Sequence, residues 1–221
     1  MRRLAQPVVL KSAAIAALVT TLACYPRFTL WLNRSAPVWY LEIMTFLCSM
    51  VLWGFVFAWH EYYTRRPLWV FKPELRVVLT ATLLAVGAAV ISHRFIDPLL
   101  RARLPEEYPG DLRQWVASVL FGLFLNRLLL LFAPFAWLMR LVRNQWVAAG
   151  LTVLFGAAVL VIRVQSLPAP LPPVLFATLL TGRILMGLLA VWFYLRGGIL
   201  LIWWWTVVYE ARQLFDLAGH G

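Results

Sequence analysis

Apolar residues are gathered along this chain into six long stretches, 7–24, 37–59, 77–92, 115–138, 147–162 and 174–195, joined by short polar connections. A helix needs about 20 apolar residues to cross the hydrocarbon core of a bilayer. The pattern predicts an all-α, polytopic transmembrane helix bundle that takes up residues 1–221 as a single membrane domain. The third and fifth stretches hold 16 residues each, so they cross thinly or borrow flanking residues. Trp39, Trp59, Trp115, Trp137 and Trp146 fall at the predicted ends, where an amphipathic indole prefers to lie.

A further apolar piece, 199–209, holds 11 residues and includes Trp203, Trp204 and Trp205. As a helix it rises about 16 Å, too little to span. Gly197 and Gly198 separate it from the sixth stretch and let the chain turn. The expectation is a short C-terminal interfacial or re-entrant helix, then the polar tail YEARQLFDLAGHG. The alternative is a full seventh span that borrows Glu210, Arg212 and Asp216. The N-terminal run follows Arg2 and Arg3 as a signal peptide would, but Lys11 interrupts it and five more spans follow, so it reads as a retained signal anchor.

Composition agrees with the pattern. The chain is 63% apolar and 13% charged, against roughly 45–50% and ~25% in soluble domains. Too few polar groups exist to cover a soluble globule, which excludes that class along with disorder and collagen. The net charge of +11 would suggest nucleic acid in a soluble protein. Here most cations flank apolar runs, where they meet lipid phosphates and set orientation, so no nucleic acid is expected. With residue 1 in the cytoplasm, nine Lys and Arg of the first five connections and ends lie inside against seven outside, the latter including Arg34; with six spans Arg196 and Arg212 make it eleven to seven. A bacterial inner membrane with a cytoplasmic N-terminus is the expected setting. Cys24 and Cys48 both lie in apolar stretches and form no CxxC pair, so both read as packing residues. The SLPAPLPP link at 166–173 cannot be regular helix.

Polar groups inside spans carry the most information, because each ionised side chain costs roughly 2.5–3.5 kcal/mol at the midplane. Asn126 and Arg127 sit at the centre of the fourth span, Arg183 near the centre of the sixth, and Glu42 inside the second. Two readings follow. Either the arginines form a buried pocket for an anionic group, or Glu42 neutralises one while helix-end carbonyls and water satisfy the other. The three histidines, His60, His93 and His220, read as solvated or interfacial. His60-Glu61 lacks the second histidine of a zinc-protease helix, and no nucleophile elbow or phosphate-binding glycine loop is present. Neither metal nor cofactor is expected.

The pair Glu106-Glu107, the segment RLVRNQWVAAGLTVLFGAAVL and the stretch GLLAVWFYLRGGILL resemble the CPBP family, the Rce1-like glutamate intramembrane proteases, over about 140–211. That family needs EExxxR, then FxxxH, then a histidine spaced from asparagine or aspartate. Phe155 matches the phenylalanine, but Val159 stands where the histidine belongs, and neither histidine nor asparagine falls around Val207 and Ala211. Asp111 follows the glutamates at the arginine's place, and Arg113 comes two residues late. The resemblance implies an inactive relative.

The function expected from these features is a non-catalytic membrane regulator. It would hold a soluble cytoplasmic partner, for example a sigma factor, at its basic face. Tyr62, Tyr63, Arg65, Arg66, Trp69 and Lys72, with Phe71, are the candidate partner-binding residues, since arginine and aromatics anchor interfaces. The alternatives are a divergent intramembrane protease acting through Glu106 and Glu107, and a transporter or accessory subunit using Arg127 and Arg183 as an anion pocket.

Overall fold

A computed structural model describes residues 4–30, 36–167 and 170–218. Arg2, Arg3, Arg34, His220 and the Pro168-Ala169 part of the proline-rich link lie outside the described residues. Six helices are long and apolar enough to cross a membrane: α1 (Pro7–Leu30), α2 (Val38–Thr64), α3 (Leu75–Arg101), α4 (Leu112–Val142), α5 (Gln145–Gln165) and α6 (Pro173–Leu217). The protein is a multi-pass membrane bundle. No strand occurs among the described residues, where a single bridge pairs Trp69 with Gly198.

Polar residues set the helix ends. Asp111 caps α4 by accepting from the Gln114 N–H at 2.7 Å, and Asn144 caps α5 by accepting from Trp146 and Val147. Such caps satisfy amides that have no partner within the helix. At the other ends of α2 and α4, Arg65 and Arg143 take left-handed backbone, with φ of 55° and 56°. The sequence also widens two helices. Turns of π-helix occur at Ser92–Ile96 in α3, and at Gly122–Asn126 and Leu128–Phe132 in α4. Pro98 and Pro134 follow the first and last of these. A proline removes one N–H and its ring clashes with the carbonyl four residues back, which a wider turn relieves.

The bundle has two ends. Arg66 and Arg140 mark one, where Arg140 lies over the Trp59 ring at 4.4 Å. At the other, Arg163 at the end of α5 pairs with Glu107 after α3, and Arg103 donates to the Pro170 carbonyl. Helices α3 and α5 therefore run in the same direction, from the Arg66 end to the Glu107 end.

Helix α6 doubles back. Its first limb, 173–197, runs antiparallel to α5: Arg183 lies on Gly156, and Gly187 lies on Val153. It reaches the Arg66 end at Leu195, whose carbonyl accepts from Arg66 Nη1 at 2.6 Å. The second limb, 199–217, then runs parallel to α3. Trp204 donates to Thr82, Tyr209 meets Ser92 at 3.0 Å, and Arg212 donates to Asp97. The reversal is at Gly198, with φ 66° and ψ −161°. A Cβ there would collide with the Leu68 carbonyl oxygen, which instead accepts the Ile199 N–H at 3.1 Å. Only glycine suits that backbone. Glu61 holds the clamp by accepting the Leu68 N–H at 2.9 Å.

The short interfacial or re-entrant helix expected for 199–209 is not what forms; the structure takes the alternative, a full crossing that borrows Glu210, Arg212 and Asp216. The physical reason is that the Gly198 reversal starts the limb at the Arg66 end, and Asp97 and Arg101 receive its charged residues at the other. Ile199, Leu201, Ile202, Trp205 and Thr206 are all buried, so the segment lies inside the bundle. Apolar burial holds it there, and the indoles of Trp203 and Trp204 donate to Leu123 O and Thr82 Oγ1. Two edge markers move inward as well. Trp59 is buried, and Trp115 donates to the Glu210 carbonyl at 3.0 Å. His60 corrects the expectation of a solvated imidazole. It is fully buried, its ring 4.7 Å from that of Tyr194, because α4 and α6 cover the end of α2.

Candidate functional site

A cavity of about 340 Å³ opens between α3 and α5, which grip different limbs of α6. All three π turns contribute to its wall, through Ser92 and Ile96, Asn126, and Leu130 and Leu131. A π turn shifts the register of side chains by about one residue, and here that register aims polar residues inward.

Three of the four intramembrane polar residues meet there: Asn126, Arg127 and Arg183 all line the cavity. Arg127 is held by its Nε, which donates to Thr206 Oγ1 at 2.9 Å, and its guanidinium lies 5.7 Å from the Trp205 ring. Arg183 lies flat on α5, its Nε 3.3 Å from the Gly156 carbonyl. Gly156 makes this possible, since a Cβ would stand 3.1 Å from Arg183 Nη2. Among the described residues neither guanidinium has a carboxylate within ion-pair distance; Glu210 acts on Arg127 only at longer range. Asn126 is exposed to the cavity and makes no side-chain hydrogen bond among the described residues.

Glu42 does not join them. It is half-buried on α2 and pairs with neither arginine, so the neutralising role considered for it is not realised. Its helix contributes no residue to the cavity wall, which is built by α3 to α6 with Tyr108 of the connection between α3 and α4.

The cavity mouth was not evident in the sequence. Asp97 is buried, accepts from Arg212 Nε at 2.9 Å through one oxygen and from the Tyr108 hydroxyl at 3.1 Å through the other. Arg212 also donates to Glu210 Oε2 at 3.1 Å and to the Tyr209 carbonyl, and lies 4.0 Å over the Tyr209 ring. Next to this cluster, Arg101 pairs with Asp216 at 2.6 Å. Burial, and then the Asp97 carboxylate, push the Tyr108 phenol well above its ordinary value, so it stays a neutral donor. The mouth is thus a closed set of charges, each cation matched by carboxylates, whereas the floor carries two cations without any. The clue available in sequence was Asp97, sitting before Pro98 at the edge of a span that is too short by itself.

The basic segment after α2 serves two purposes. Tyr62, Arg65, Trp69, Phe71 and Lys72 are exposed, Phe71 to 80%, while Tyr63 is half-buried. Arg66 is committed to the Leu195 carbonyl, and the backbone on either side of Trp69 to the Gly198 reversal. Of the residues that carry the protease resemblance, Glu106 and Glu107 form a short 3-10 turn between α3 and α4, with Glu107 held by Arg163. Phe155 faces outward from α5. Among the described residues, no group of three His, Cys, Asp or Glu side chains is placed to hold a metal ion.

Comparison with family models, curated proteins and solved structures finds no match for this chain.

Proposed function

We propose that this is a non-catalytic membrane protein that binds an anionic group in the cavity between α3, α5 and α6. One observation carries the reading. Arg127 and Arg183 come from different helices, face the same space, and lack the carboxylate partner that buried cations in a bilayer ordinarily have. Desolvated guanidiniums with unused N–H groups are strong donors to a carboxylate or phosphate. The floor is therefore prepared for a charge that arrives with the ligand. The test is to purify the protein in neutral detergent, denature it, and identify the released anions by mass spectrometry. An anion recovered at near-equal stoichiometry from the wild type and lost from Arg127→Gln and Arg183→Gln supports the reading. Identical recovery from all three proteins rejects it.

A second reading keeps the segment after α2 as a docking face for a soluble, acidic partner such as a sigma factor. Exposed Tyr62, Phe71, Arg65 and Lys72 favour it. Arg66 no longer belongs to that face, since its guanidinium stabilises the reversal of α6. In-cell crosslinking that recovers a stoichiometric soluble protein, and loses it on Arg65→Glu with Lys72→Glu, would support this reading. Recovery unchanged by those substitutions would remove it. In both readings the Arg66 end faces the cytoplasm of a bacterial cell. Lys11, Arg65, Arg66, Lys72, Arg76, Arg140 and Arg143 fall at that end, in the manner of cytoplasmic flanks.

A further inference from the structure

The anion-binding reading leaves the chemical class of the ligand open, and the charge of the cavity narrows it. The ionised residues in its wall are Arg127, Arg183, Arg212, Asp97 and Glu210. Three cations and two carboxylates leave an excess of one positive charge. In a low-dielectric site an uncompensated charge is costly, and an added charge beyond neutrality is equally so. A ligand with a single negative charge brings the set to neutrality; a dianion overshoots it.

The donors are distributed in a way that favours a phosphodiester over a carboxylate. Arg127 reaches in from α4 and Arg183 from the first limb of α6, with the Asn126 amide beside them. A phosphodiester offers two non-bridging oxygens around a tetrahedral centre, so guanidiniums from separate helices can each take one, and the amide has a further lone pair to meet.

The rest of the wall describes what is attached to the phosphate. Leu100, Leu130, Leu160, Leu179 and Met186 are apolar. On α6, Thr178, Gly182, Met186 and Ala190 follow one face, so the cavity runs along the limb for about 18 Å of helix rise. Thr178 at the start of that face is exposed, so the space is open there instead of sealed. A polar floor with an apolar, laterally extended wall suits a headgroup whose acyl chains continue along the bundle. The remaining polar side chains of the lining are hydroxyls: Thr178, Thr152, Ser92, Tyr108 and Tyr209. Asp97 and Glu210 are already engaged by Arg212, so an ammonium headgroup would find no free carboxylate and would restore the positive excess. A hydroxylated headgroup meets neither problem.

Resting on the anion-binding reading above, we infer that the ligand is a monoanionic glycerophospholipid with a hydroxylated headgroup, of the phosphatidylglycerol class, held through its phosphodiester by Arg127 and Arg183.

The experiment uses the full chain, delipidated in neutral detergent, titrated by native mass spectrometry with four probes: dioctanoyl phosphatidylglycerol, dioctanoyl phosphatidylcholine, glycerophosphoglycerol and octanoate. The expected order places phosphatidylglycerol at least tenfold tighter than each of the others. Arg127→Gln and Arg183→Gln each lose at least tenfold of that affinity, while Arg113→Gln, an exposed cation outside the cavity, loses none. If either arginine variant fails to fold, Asn126→Leu takes its place and is expected to weaken phosphatidylglycerol at least threefold. Glycerophosphoglycerol binding as tightly as the lipid overturns the lipid assignment and leaves the anion site standing. Octanoate binding as tightly overturns the phosphodiester, and phosphatidylcholine binding as tightly overturns the hydroxylated headgroup; both leave the site standing. No probe binding the wild type more tightly than the arginine variants overturns this inference and the anion-binding reading together.

Discussion

The mouth and the floor of the cavity use the same residue type in opposite ways. At the mouth, Arg212 is matched by two carboxylates: its Nε donates to Asp97, its Nη1 to Glu210 and the Tyr209 carbonyl, and the Tyr209 ring lies against its plane. On the floor, Arg127 and Arg183 are each held by one neutral oxygen through Nε, which fixes the side chain and leaves the outer N–H groups facing the cavity. The mouth spends its charge on joining α3 to the second limb of α6. The floor keeps its charge available, at a standing cost in stability. A buried cation paired by the fold is structure, and one only positioned by the fold is a site.

That contrast can be broken at four places. The largest effect is expected from Asp97→Ala, which removes the main partner of a buried guanidinium and leaves the Tyr108 hydroxyl without its acceptor. Breaking a buried pair from one side costs about 3–5 kcal/mol. The thermal midpoint in mild detergent should fall by roughly 6–20 °C, at about 2–4 °C per kcal/mol for a chain of this length. Gly156→Ala comes next. Its Cβ would press on Arg183 Nη2, with an overpacking cost of about 1–3 kcal/mol and a displaced guanidinium. Both a lower midpoint and weaker anion binding are expected from this one change, and a lower midpoint with intact binding would show that Arg183 need not lie on α5. Thr206→Val removes the oxygen that holds Arg127 Nε and should cost about 1 kcal/mol, with anion affinity falling more than stability. Arg183→Leu is the smallest. In ligand-free protein the midpoint should move by less than about 1 kcal/mol in stability, or rise, because an unpaired charge leaves the membrane interior. If it falls as far as in Asp97→Ala, the distinction between mouth and floor is lost.

The sequence carried the membrane class and most of the floor, because apolar runs and the ions embedded in them are local signals. Asn126, Arg127 and Arg183 stand out against leucine-rich surroundings without any knowledge of packing. The mouth is different. Asp97, Tyr108, Glu210 and Arg212 sit at span edges, where polar residues are ordinary, and only the return of α6 brings the Glu210-Arg212 pair onto Asp97 and Tyr108. Glu42 shows the converse, a carboxylate inside a span whose helix does not reach the cavity. The tryptophans divide in the same way. Trp39 and Trp146 are exposed, as edge markers should be, whereas Trp59 and Trp115 are taken up by Arg140 and by the Glu210 carbonyl. His60 is buried for a reason no local pattern contains, namely that Tyr194 arrives from more than a hundred residues away to cover it.

The hairpin at Gly198 also fixes the parity of the chain. Six helices would return residue 217 to the side on which residue 7 starts, but the last helix traverses twice. Leu4 and Val9 pack with Trp59 at the Arg66 end, whereas Asp216 is bound to Arg101 at the opposite one. Arg212 thereby leaves the group of cations on the Arg66 side, and the charge bias that orients the protein is narrower than a count over six crossings implies. A reporter joined after the last limb and one joined before α1 should light up in different compartments, and a single alanine at position 198 should be enough to scramble that division.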